Sequence, residues 1–155
     1  MVKQTTLKDI DLFNYADYRR FVRDWLIVAR SRKGFSLRVF AERAGLGSAG
    51  YLKMVTDGKR SLGESGLERV MNGLKLMGEE RLYFRNLVLW NQAETDEARA
   101  RYEGKLHLLR KCRSLMPHIR EKIERIRGEI RGLLTSDEFT EEEAASIAGQ
   151  ILPAE

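Results

Sequence analysis

Late in the chain the apolar residues fall at Leu109, Cys112, Met116, Ile119, Ile123, Ile126, Ile130 and Leu133, alternating steps of three and four without a break. A helix stacks such positions on one face, whereas a strand needs steps of two. The run predicts a long helix from about Asp96 to Leu134 with a heptad seam along it. Pro117 lies inside, where it removes a helical hydrogen bond and crowds the preceding turn, so a kink or a new helix start is expected there. No period-two alternation of useful length occurs in the 155 residues, and both prolines, Pro117 and Pro153, fall late. The pattern predicts an all-α chain.

Five shorter helices are expected in residues 1–92. Asn14, with Asp17 three residues on and Phe13 and Tyr18 as a hydrophobic staple, predicts the first N-terminus. Tyr18, Phe21, Val22, Trp25, Leu26 and Ala29 form its inward stripe, Arg19, Arg20 and Arg23 lie off it as an exposed face, and Gly34 ends it. Ser36 caps a second, two-turn helix with Phe35 and Phe40 as staple and Phe40, Ala41 and Ala44 inward. Gly47 or Ser48 caps a third, marked by Tyr51, Leu52 and Val55 and ended at Asp57-Gly58. Leu62, Leu67, Val70, Met71 and Leu74 mark a fourth, and Gly78 introduces a fifth, apolar almost all round at Leu82, Phe84, Leu87, Val88 and Trp90. After the heptad run, Thr140 with Glu143 makes a capping box and Phe139 with Ala144 a staple. They introduce a last helix with Ala145, Ile147, Ala148, Ile151 and Leu152 on its apolar face.

Charge separates the two parts. Residues 1–92 carry 17 Lys+Arg against 10 Asp+Glu, whereas residues 93–155 carry 11 against 13. The basic first part suits a polyanionic partner. No apolar run approaches the roughly 20 residues a bilayer requires, and the first residues lack a signal-peptide core, so a cytoplasmic protein is expected with no membrane partner. The single cysteine, Cys112, and the two histidines, His107 and His118, stand at no ligand or catalytic spacing; no metal, cofactor or enzymatic activity is expected.

Gly45, Gly47 and Gly50 spell G-x-G-x-x-G, the dinucleotide-binding pattern. That motif needs a strand before it and an acidic residue closing a second strand, yet "SLRVFAERA" is helix-patterned and Glu68 falls inside a helix. No lysine follows the last glycine as a phosphate loop requires. Helix, small residue, glycine turn, helix fits better: Ala41 permits close crossing and Gly45 a tight turn. Here "FSLRVFAERAGLGSAGYLKMVTDGKRSL" resembles the phage-repressor and Cro-like helix-turn-helix superfamily, at Ala41, Gly45, Leu46, Leu52, Val55 and Gly58-Lys59-Arg60. "YADYRRFVRDWL", "GKRSL" and "ERLYFRNLVLWNQA" are similar to a bacterial group sharing a Tyr-x-Asp-Tyr-Arg start. The resemblance covers about residues 13–94 and implies a five-helix DNA-binding domain, residues 1–92, followed by a helical extension, residues 93–155. Two departures stand out. Leu37 occupies a position where many members carry a phosphate-binding glutamine, and the turn after Leu46 is one residue longer than usual.

A recognition helix sets its N-terminal side chains against base edges. With Leu52 and Val55 inward, the DNA-facing candidates are Ser48, Ala49, Gly50, Tyr51 and Lys53, with Lys59, Arg60 and Arg38 suited to phosphates. Ala49 and Gly50 offer no hydrogen-bonding side chain, so direct base readout is expected to be sparse and shape readout to carry more. The resulting expectation is a transcriptional regulator that binds double-stranded DNA as a homodimer. The alternative is an adaptor that keeps the fold without sequence-specific readout and holds a protein partner on its C-terminal helices. With Met116, Ile123 and Ile130 at a, the seam is flanked by Arg120 and Arg127 at e and Lys122 and Glu129 at g, which disfavours a free two-stranded coil. The stripe is expected to pack against residues 137–143 or the first domain, with any dimer forming as a helical bundle.

Overall fold

The computed structural model describes residues 10–31, 33–135 and 140–151, and these are all-helical. A 3-10 turn, Leu12–Asn14, precedes α1 (Tyr18–Arg30), α2 (Leu37–Ala44), α3 (Ala49–Thr56), α4 (Glu64–Gly73), α5 (Gly78–Asn91), α6 (Asp96–Leu134) and α7 (Glu141–Ile151).

The helix ends follow local chemistry. Ser36 caps α2 by accepting from Val39 N–H, and Ser48 caps α3 by accepting from Tyr51 N–H. Phe35 and Phe40 meet as the expected staple, with centroids 6.4 Å apart. At the end of α2, Leu46 N–H reaches back to Ala41 C=O and Gly45 N–H to Glu42 C=O. This closure needs a left-handed residue, and Gly45 supplies it at φ +70°. Gly58, at φ +77°, closes α3 in the same way, with Lys59 N–H on Met54 C=O and its own N–H on Val55 C=O.

The start of α1 differs from expectation. Asp17, not Asn14, is its N-cap and accepts from Arg19 N–H at 2.8 Å. Asn14 instead ends the 3-10 turn, whose own cap is Asp11. Two carboxylate-capped turns thus replace the single start that the Asn14 signal suggests.

Two compact units divide the chain, residues 1–110 and 111–155. In the first, α1 packs on α3 and α5, α2 on α3 and α4, and α4 on α5. Tyr18, Phe21, Val22, Phe40, Leu52, Val55, Leu67, Val70, Met71, Phe84, Leu87 and Val88 fill one core. The α2–α4 crossing is close because Gly73 has no side chain: a Cβ there would stand 2.6 Å from the Phe40 ring and 2.8 Å from Ala44 Cβ. On α5 the burial is one-sided. Leu82 is exposed, while Tyr83 and Asn86 are buried.

This unit extends past residue 92, where composition changes, through the beginning of α6. Leu106 is buried, Arg110 donates to the Phe13 carbonyl at 3.1 Å, and its guanidinium lies over the Tyr83 ring.

In the second unit α6 continues as one helix through Pro117, which neither ends nor restarts it. Met116, Ile119, Ile123 and Ile126 on this stripe are each more than two-fifths exposed. The capping box of α7 is formed: Thr140 Oγ1 accepts from Glu143 N–H, and Glu143 Oε2 accepts from Thr140 N–H. Donation to the Glu143 carboxylate by the Thr140 backbone N–H foremost, and by the Thr140 hydroxyl, holds it below its ordinary range. Phe139 lies outside the described residues.

Candidate nucleic-acid interface

Helix α3 is the element on which the candidate residues converge, and its inward side is fixed. Leu52, Val55 and Thr56 are buried, leaving Gly50, Lys53, Met54 and Asp57 toward solvent. Its last carbonyls are capped from another helix: Arg19 Nε donates to Val55 C=O at 3.0 Å and Arg23 Nη1 to Thr56 C=O at 3.1 Å. Two guanidiniums at a helix C-terminus satisfy orphan acceptors and complement the helix dipole. The face expected to be merely exposed thus contributes clamps; Arg20, by contrast, is exposed and weakly paired with Asp24.

The clamp rests on a second set of long-range bonds. Tyr18 sits fully buried, its O–H donating to Gln92 Oε1 and its N–H to Asn91 Oδ1. Gln92 also accepts from Leu62 N–H and donates to Leu62 C=O, tying the end of α5 to the approach to α4. Tyr15 O–H donates to Asp24, and Tyr83 O–H to the Tyr15 carbonyl. Burial, the largest cause in each case, pushes the phenols of Tyr15, Tyr18 and Tyr83 above their ordinary range. On α4 and α5, Glu68 pairs with both Arg81 and Arg85, and Arg85 also meets Glu64. The Tyr-x-Asp-Tyr-Arg start therefore has a mechanical reading: Tyr15 braces, Asp17 caps, Tyr18 anchors and Arg19 holds α3.

The candidate residues divide by environment. Lys53, Lys59 and Arg60 are exposed at or just beyond α3, with Gly50 on its open face and Ser48 capping its N-terminus. Ala49 is half-buried against the core. Tyr51 turns inward toward α4: its hydroxyl oxygen occupies the space a Cβ on Gly66 would need, and Arg60 lies over its ring at 4.9 Å. Arg38 is exposed on α2 and bonded to Glu42 at 3.0 Å, which satisfies part of its charge locally. The structure brings Ser48, Gly50, Lys53, Lys59 and Arg60 together on and around α3 and sets Arg38 on the preceding helix. The inward turn of Tyr51 carries no signal in local periodicity, because the half-buried flank of a short helix is compatible with either environment.

Among the described residues no cluster of three or more His, Cys, Asp or Glu side chains is placed to hold a metal ion, and no helix is long and apolar enough to cross a membrane. Comparison of the chain with protein-family models, with curated proteins and with solved structures finds no match.

Proposed function

We propose that this chain is a transcriptional regulator whose first unit binds duplex DNA by a helix-turn-helix made of α2, the Gly45–Ser48 turn and α3. One observation carries the reading. A short helix presents Gly50 and Lys53 outward, flanked by Lys59 and Arg60, while Arg19 and Arg23 hold its far end rigidly from behind. A pre-organised helix with small residues at its tip and cations beside it can approach a groove closely and neutralise phosphates. With Tyr51 and Ala49 packed inward, base-edge contacts are few, so phosphate positioning and DNA shape carry most of the recognition.

The second unit supplies dimerisation in this reading. The exposed α6 stripe needs a partner, and a second copy sets two such modules on two half-sites. Arg127 bonds to Glu124 on its own helix at 2.9 Å, which reduces the flank repulsion expected from the sequence alone. The same exposed stripe favours one other reading, an adaptor that holds a protein partner on α6 without sequence-specific DNA readout.

Fluorescence anisotropy on genomic fragments across a salt series tests the regulator reading. Lys53→Glu and the double change Lys59→Glu/Arg60→Glu are expected to weaken binding more than about tenfold. Each phosphate contact removed should lower the salt slope by about one unit. Weak, sequence-independent binding untouched by these changes would leave the adaptor.

A further inference from the structure

We infer that the first unit contains a binding site for a small apolar anion, a fatty or aromatic carboxylate, in a cleft between the 3-10 turn, α1, α2 and the α4–α5 connection. The cleft encloses about 1000 Å³, at the upper end of the range of small-molecule sites, and lies away from the exposed face of α3. Its wall is aromatic. Trp25 meets Phe40 at 5.6 Å and Phe35 at 6.0 Å in edge-to-face contacts, and Trp25 and Phe35 remain half-exposed to the opening.

The lining is cationic as well as apolar. Among the described residues Lys33, Arg43 and Lys75 line the cleft with Glu80 as the one carboxylate, and none of the three forms an ion pair. An apolar wall beneath an excess of two positive charges complements a ligand with an apolar body and an anionic head.

Lys75 supplies an independent pointer. It closes α4 in the left-handed conformation, φ +57°, with its N–H on Asn72 C=O and Leu76 N–H on Met71 C=O. At the equivalent ends of α2 and α3 the chain uses Gly45 and Gly58. Among the described residues Lys75 is the one non-glycine with positive φ. A lysine in the conformation glycine favours gives up stability, and such outliers gather where a side chain serves a ligand. Here Lys75 lines the cleft, so the strain has a use. The inference does not depend on DNA binding and survives its failure.

Titration of the ¹⁵N-labelled full chain with decanoate below its micelle concentration, followed by amide and indole shifts, tests it. Saturable shifts are expected at Lys33, Gly34, Asn72 to Leu76 and the Trp25 indole, with no saturable response to decyltrimethylammonium. Lys75→Gly should raise the melting temperature by about 4 °C while weakening decanoate about tenfold. Arg43→Gln, which leaves the backbone undisturbed, should also weaken it. Absence of saturable shifts, shifts centred on residues 116–133, an equal response to the cationic amphiphile, or unchanged affinity in both variants would overturn the proposal.

Discussion

The stripes of α1 and late α6 are written in similar spacing and end in opposite environments. Tyr18 and Val22 are fully buried and Phe21 is 2% exposed, whereas Ile119 is 48% and Ile123 45% exposed. Periodicity specifies a helix and its apolar face; it does not specify what covers that face. In the first unit five short helices cover one another. In the second, the long helix α6 leaves its seam residues from Met116 to Ile126 more than two-fifths exposed.

The most direct way to break this contrast is a matched pair of truncations. Phe84→Ala removes a fully buried ring against which Phe21 and Tyr18 pack, and should cost about 3–5 kcal/mol in urea unfolding. Ile123→Ala should cost less than about 0.5 kcal/mol at dilute protein concentration. If its cost grows with protein concentration, a second copy covers the seam, as the dimer proposal requires. A large cost that is independent of concentration would contradict the exposure of the seam.

Next in size is the Gln92 bridge, which joins the end of α5 to Tyr18 and Leu62. Gln92→Ala leaves the Tyr18 hydroxyl and the Leu62 amide without their acceptor, at a cost of about 2–3 kcal/mol. Gln92→Glu, which retains acceptors but cannot donate to Leu62 C=O, should lie between wild type and Gln92→Ala. Equal stability of Gln92→Ala and wild type, measured by urea denaturation, would show that the bridge is dispensable.

The same distinction explains what was legible in the sequence. The helices and the Ser36, Ser48 and Thr140 caps are local, since each cap bonds a backbone amide three residues on. The open face of α3 followed from Leu52 and Val55 alone. The clamps were not legible: Arg19 bonds a residue 36 positions away, Arg23 one 33 away, and Tyr18 reaches Gln92 over 74. No spacing rule connects such partners. Leu82 faces solvent for a related reason: α5 is apolar on several sides and only its neighbours decide which side is covered.

The two units should also lose stability from opposite ends of the pH scale. Tyr15, Tyr18 and Tyr83 have phenol pKa values raised above 10.0 chiefly by burial. Their contribution is therefore complete below about pH 10 and is lost as pH rises through the raised folded values. Urea midpoints for the first unit should fall as pH rises above about 10, with tyrosinate absorbance appearing together with loss of ellipticity. Glu143 is lowered from 4.5 by the Thr140 amide, so its contribution is present above that value and is lost as pH falls through the lowered one. Fraying of α7 in acid, seen as loss of amide protection at its first turn, is the smaller counterpart.

The finest test concerns the start of α1, where two neighbouring polar residues compete for one role. Asp17→Ala removes the acceptor for Arg19 N–H and should cost about 1 kcal/mol, whereas Asn14→Ala, on an exposed residue with no cap to make, should cost a few tenths at most. The order matters beyond its size. Arg19 begins one residue after Tyr18 and holds α3 through Val55 C=O, so a frayed first turn loosens that grip as well. Asp17→Ala should accordingly increase hydrogen exchange at the end of α3, while Asn14→Ala should not. Reversal of the two would return the N-cap to Asn14 and detach the conformation of α3 from the entry of α1.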